Sequence, residues 1–184
     1  MLVCAAPLIG SYFTYYVIKP TSRTNYGELL DPRLFPMPPL GIATLDGKPT
    51  GLDAFKGKWI MLQVGSSDCA QACRDKLTAM RQQRLMQGKE AERIERVWLV
   101  TDAQPLDTML LREFDGTRML RVQAAALAKW LPVEPGAQAS DYMYLIDPLG
   151  NLMMRFPKDF NQDVEQRNKV KKDIGKLLKA SAIG

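Results

Sequence analysis

The run WIMLQVG at residues 59–65 restricts the fold more than any other stretch of this chain. It is continuously apolar between Gly57 and Gly65, as suits a strand covered on both faces; a strand with one wet face alternates instead. The next stretch is patterned differently. Cys73, Leu77 and Met80 recur at i, i+4 and i+7, Arg74, Arg81 and Arg84 fall mostly on other faces, and Gly88 supplies a stop, so a helix opens directly behind the strand. Two cysteines, Cys69 and Cys73, stand at that junction.

The chain then repeats the alternation. RVWLVTD (96–102) reads as a second buried strand, PLDTMLLREF (105–114) as a helix with Pro105 in its first turn, and QAAALAKWL (123–131) as a short helix of strong formers. YMYLIDPLGNLMMRF (142–156) gives two apolar runs joined by Pro148, Leu149, Gly150 and Asn151, which is an antiparallel hairpin. A last helix over residues 163–179 offers Val164, Val170, Ile174 and Leu178 as an apolar stripe, and upstream Asp46-Gly47 marks a turn. The order β, α, β, α, α, β, β, α, with a dithiol at the first buried strand-to-helix junction, is an α/β thioredoxin-like plan. Its sheet is expected to be mixed, parallel where helices cross over and antiparallel at the final hairpin.

This domain is placed at residues 40–184. Residues 19–39, rich in Pro and turn formers, read as a linker. Residues 1–18 carry no charged side chain and end in Tyr12, Phe13, Tyr15 and Tyr16, followed by Lys19. They read as a single-pass transmembrane anchor at the short end of what crosses ~30 Å of hydrocarbon, with aromatic residues at the exit. A cleaved signal peptide or a buried N-terminal helix are the competing readings; the basic start and small-x-small site of a signal peptide are missing. The missing basic start also suggests a natural start upstream of Met1. The domain is expected to face the periplasm, where a disulfide forms and persists.

Composition matters mainly through what it removes. The chain contains no histidine, which eliminates imidazole acid–base catalysis, Ser-His or Cys-His nucleophile activation and every imidazole metal site. A net charge of +5 is spread along the chain apart from a C-terminal cluster, which favours solubility over nucleic-acid binding.

Residues four apart on a helix share a face with Cα atoms about 6 Å apart, within disulfide reach. Cys69 and Cys73 are expected in the first two turns, where unpaired N–H groups and the helix dipole favour a thiolate; Asp68, read as the N-cap, opposes it. The bland reading is a static disulfide or two inert core thiols. Against it stands placement at the carboxyl end of a sheet strand, where α/β folds tend to put chemistry. Cys4, in the apolar N-terminal stretch, is assigned to packing.

The junction resembles the Sco/SenC family, membrane-anchored thioredoxin-fold copper-handling factors for assembly of cytochrome c oxidase. The resemblance rests on an apolar strand followed by Gly65, Ser66, Ser67, Asp68, Cys69, Cys73 and Leu77, on LDGKPTGLDAFKGKW upstream, on WLVTDAQPLDT and on YLIDPLGNL, covering about residues 35–178. It implies Cys69 and Cys73 as Cu(I) ligands or a redox couple, and a cytochrome c oxidase subunit as protein partner. Two departures stand out. The prolines that commonly follow each family cysteine are replaced by Ala70 and Arg74, and the family's copper-binding histidine, about five residues before Tyr144, falls in GAQASDYMY, where Gln138, Ala139 and Ser140 offer no imidazole. Two thiolates can hold soft Cu(I), whereas Cu(II) prefers the missing nitrogen; Met143 is a soft third donor if it is not core, and Asp141 a harder one.

Three functions are therefore weighed. The first is a membrane-anchored, Sco-like protein in oxidase biogenesis, acting by dithiol/disulfide exchange, with Cys69 attacking and Cys73 resolving, or by transient Cu(I) carriage; as an enzyme it would be a thiol-disulfide oxidoreductase. The second is a non-catalytic scaffold that keeps its disulfide for stability. The third is a thiol peroxidase, because Ser66 stands three residues before Cys69.

Overall fold

The computed structural model describes residues 2–13 and 24–181. Along the chain these form α1 (Leu2–Phe13), β1 (Glu28–Leu29), β2 (Ala43–Thr44), β3 (Trp59–Gly65), α2 (Gln71–Leu85), β4 (Ile94–Val100), α3 (Thr108–Glu113), β5 (Arg118–Arg121), α4 (Ala124–Trp130), β6 (Met143–Ile146), β7 (Leu152–Phe156) and α5 (Val164–Ala180). The strands make one sheet in the order β1-β7-β6-β3-β4-β5-β2. β3, β4 and β5 run parallel, whereas β6, β7, β1 and β2 pair antiparallel to their neighbours, so the mixed sheet expected from the sequence is the one observed.

β3 is central, parallel to β4 from Trp59↔Ile94 to Gly65↔Val100 and antiparallel to β6 on its other edge. Trp59 and Met61 enter one core cluster with Leu77 and Met80 of α2 and Val170, Ile174 and Leu178 of α5. Ile60, Leu62 and Val64 enter a second cluster with Leu127 and Trp130 of α4. Both faces are covered, which is why this run does not alternate.

Several boundaries differ from the sequence reading. Residues 24–39, expected as a linker, supply β1 and bury Leu30, while Trp130 Nε1 donates to the Phe35 carbonyl at 3.2 Å. Turn-rich composition hid them, because a two-residue edge strand carries no periodicity. β5 was not visible either: its sequence RMLR carries arginine at both ends. α3 begins at Thr108, capped by Asp107, whose side chain accepts from Met109 N, so Pro105 lies ahead of the helix rather than in its first turn. Val164 is exposed at the start of α5 and leaves the stripe to Val170, Ile174 and Leu178.

α1 has 12 residues, ~18 Å of helix at 1.5 Å per residue. Among the described residues no helix is long and apolar enough to cross a membrane. The remainder of the expected anchor, residues 14–18, and the first part of the expected linker, residues 19–23, lie outside the described residues.

Candidate functional site

Cys69 and Cys73 are joined by a disulfide with Cα atoms 5.2 Å apart. Cys69 lies in the loop between β3 and α2, its N donating to the Ser67 carbonyl at 2.9 Å, and Cys73 is the third residue of α2, its N donating to the Ala70 carbonyl at 3.0 Å. Cys73 is thus in the first turn as expected, whereas Cys69, expected there too, lies ahead of the helix. Ala70, not Asp68, is the N-cap, and it caps without a side-chain bond; Asp68 instead accepts Ala70 N on its carbonyl at 3.0 Å in a tight turn before the helix. The two halves of the disulfide differ in environment. Cys69 is 8% exposed and part of the first core cluster, whereas Cys73 is partly exposed. Gly65 lies beneath them: a Cβ there would come 3.3 Å from Trp98 Nε1 and 3.9 Å from Cys73 Sγ, so a glycine keeps the strand end clear.

Cys73 opens onto a cleft of about 620 Å³. One wall is apolar, from Leu127 of α4 to Leu131 and Val133, and the opposite lip is the segment 138–141. That segment is where the resemblance puts a copper-binding histidine, so the chain does bring it beside the cysteines. Its residues are otherwise engaged: Asp141 Oδ2 accepts from Gln138 N at 2.9 Å, and the Ser140 carbonyl accepts from Lys76 Nζ at 2.5 Å and Gln63 Nε2 at 3.1 Å. Lys76 lies one turn beyond Cys73 on the same face of α2. Burial pushes its ammonium below the usual lysine range, with Asp141 pulling it back up and Lys158 lowering it further. Met143 is fully buried in β6 within the first core cluster.

The loop carrying Cys69 is held from the next strand. Asp102, just past β4, accepts Ser67 N at 3.0 Å and Gln104 N at 3.2 Å, and its carbonyl accepts from Arg121 at 2.6 Å. Burial alone would raise the Asp102 carboxyl, but the bonds from Ser67 and Gln104 and the Arg121 charge outweigh it and hold the group below the usual carboxylate range. Sequence reasoning passed over Lys76, Gln63 and Asp102. Two of them carried a signal: Gln63 is the one amide in an apolar strand, and Lys76 follows Cys73 by three residues.

As a donor set for Cu(I), the site offers two sulfurs, which become ligands only once the disulfide is reduced. Among the described residues no group of three or more His, Cys, Asp or Glu side chains could hold a metal ion. The Lys76 ammonium, one turn beyond Cys73 and lining the same cleft, stabilises a thiolate there and at the same time repels a bound cation.

A disulfide at the end of the central strand of a mixed α/β sheet, with one sulfur facing a cleft, defines a thioredoxin-like protein. The family described as transmembrane-like, thioredoxin-like, C-terminal domain matches over residues 59–181, and the chain belongs to it. No curated protein sequence matches it. Among solved structures, yeast Sco1 with copper bound is similar at 17% identity over 83% of this chain and 97% of that one, with a TM-score of 0.60. A SCO1/SenC family lipoprotein from Bacillus anthracis is similar at 17% identity over 83% and 96%, with a TM-score of 0.59. A putative protein disulfide isomerase from Bacteroides thetaiotaomicron is similar at 22% identity over 85% and 95%, with a TM-score of 0.53. At these identities the likeness is one of fold, and it agrees with the Sco/SenC resemblance of the motif.

Proposed function

We propose that this chain is a Sco-like thiol-disulfide exchange protein that passes electrons between its Cys69–Cys73 couple and a cysteine-bearing partner protein. The observation that carries the reading is the disulfide itself, placed at the carboxyl end of β3 with Cys73 opening on an apolar cleft. The apolar stretch at residues 1–18 supports a membrane anchor, the disulfide supports a periplasmic domain, and the motif's family resemblance supports a cytochrome c oxidase subunit as the partner. The measurement that tests the exchange reading is the reduction potential of the couple. A structural disulfide lies below about −300 mV and an exchanging one above it. A value above that mark, with turnover of an added protein disulfide, supports exchange; a value below it makes the chain a scaffold.

Transient Cu(I) carriage is the second reading, supported by the copper-bound state of yeast Sco1. The two thiolates of the reduced couple would hold the ion as cargo, in the low coordination that soft Cu(I) accepts. Titration of the reduced protein against a Cu(I) chelator separates the readings, because a carrier retains one copper that Cys69→Ser releases.

A further inference from the structure

Resting on the exchange reading, we propose that the couple runs in the order opposite to the one its sequence suggests: Cys73 is the sulfur that meets the substrate, and Cys69 is the resolving thiol. The helix-start argument favours Cys69, but α2 begins only at Gln71, so Cys69 precedes the helix and turns into the core. Cys69 is 8% exposed, while Cys73 is partly exposed and is the member of the pair that lines the cleft. Attack on a disulfide needs an in-line approach to one sulfur, so access selects which sulfur reacts. The cleft gives that access at Cys73, which lines it, and not at Cys69, which does not.

The steps balance as follows. With the couple oxidised, a substrate thiolate attacks Cys73 Sγ, a substrate–Cys73 disulfide forms, and the Cys69–Cys73 bond breaks to release Cys69 as thiolate. A second thiolate of the substrate attacks the substrate sulfur, releasing Cys73 and leaving the substrate oxidised by two electrons and the couple reduced, its two thiolates taking up the protons the substrate thiols gave up. In the reverse direction Cys73 attacks a substrate disulfide, and Cys69 then attacks Cys73 to expel the substrate thiolate. In both directions the covalent adduct sits on Cys73.

The test uses the full chain with Cys4→Ser, so that no third thiol interferes, and dithiobis(nitrobenzoate) as the disulfide probe. The variant with Cys69→Ser, which keeps Cys73, is expected to react about tenfold or more faster at neutral pH than the variant with Cys73→Ser. Because either single variant can fold poorly, the reduced parent with both cysteines is also treated with less than one equivalent of N-ethylmaleimide, quenched and digested. The label is expected predominantly on Cys73. Equal labelling, or a faster Cys69, overturns the assignment. The exchange reading stands or falls separately, on the reduction potential.

Discussion

Lys76 Nζ donates to the Ser140 carbonyl at 2.5 Å, tying the second turn of α2 to the lip that precedes β6 across the cleft. The bond fixes an ammonium one helical turn from Cys73, in a chain that has no histidine to do similar work. Replacing Lys76 with Met keeps most of the apolar stem and removes the charge. The reduced protein is then expected to be alkylated by iodoacetamide about three- to tenfold more slowly at neutral pH, because a nearby cation favours the thiolate. Lys76→Arg is expected to keep most of the rate. An unchanged rate in Lys76→Met would separate this lysine from the chemistry.

Asp173 is the buried anchor of the segment that leads into the sheet. It is 3% exposed, and its Oδ2 accepts from Tyr26 N at 2.7 Å and Gly27 N at 3.0 Å. Gly27 is packed so closely that an added Cβ would lie 2.6 Å from Met154 Sδ, which leaves no room to slide. Asp173→Ala strands the buried Gly27 N–H and the part-buried Tyr26 N–H and is expected to cost about 2 kcal/mol, read as a lower urea midpoint at unchanged slope. Deleting residues 1–23 is expected to leave stability nearly unchanged, while deleting through residue 30 also removes β1 and Leu30 and destabilises the sheet edge. Loss of folding in the shorter deletion would make the N-terminal stretch part of the core.

These residues also show what the sequence could and could not reveal. β3 and its register partner β4 were legible because burial on both faces forces continuous apolar runs. α5 was legible because its stripe of Val170, Ile174 and Leu178 is a local pattern. β1 was not, since it is stabilised by pairing with β7 and by Asp173, 146 residues from Gly27, and neither leaves a local trace. At the site, the spacing of Cys69 and Cys73 was enough to give the disulfide, but not its orientation. The start of α2 was misplaced by Asp68, a favourable capping residue type that here serves the preceding turn instead. That two-residue difference puts Cys69 ahead of α2, which is the ground for the proposed order of the two cysteines.

Asp102 gives a prediction with a defined pH sign. Its folded carboxyl is held below the ordinary value, so the stability it adds is present above the unfolded carboxylate value of about 3.9 and is lost as pH falls through the lower folded one. Asp102→Asn is therefore expected to be less stable than the parent at pH 7 by about 1 kcal/mol, a figure kept small because the side chain is one-third exposed to solvent. The two proteins should converge as pH drops below about 4. Urea melts of both proteins across pH 2–7 check this; a gap that stays constant at all pH values would mean that the carboxylate charge contributes nothing and only shape matters.

Reduction of the disulfide should change reactivity more than folding. Cys69 and Cys73 are four apart, so the bond closes a very short loop and removes little entropy from the unfolded chain, about 2 kcal/mol in the loop-closure account. α2 is held independently by Leu77, Ala79 and Met80, all fully buried against the sheet and α5. For a domain of this size that difference corresponds to a fall in Tm of roughly 4–8 °C on reduction. Far-UV circular dichroism should be unchanged by reduction. If the reduced protein instead loses its cooperative transition, or its Tm falls by several times that amount, the bond is holding the β3–α2 junction together, and the couple cannot cycle without unfolding its own site.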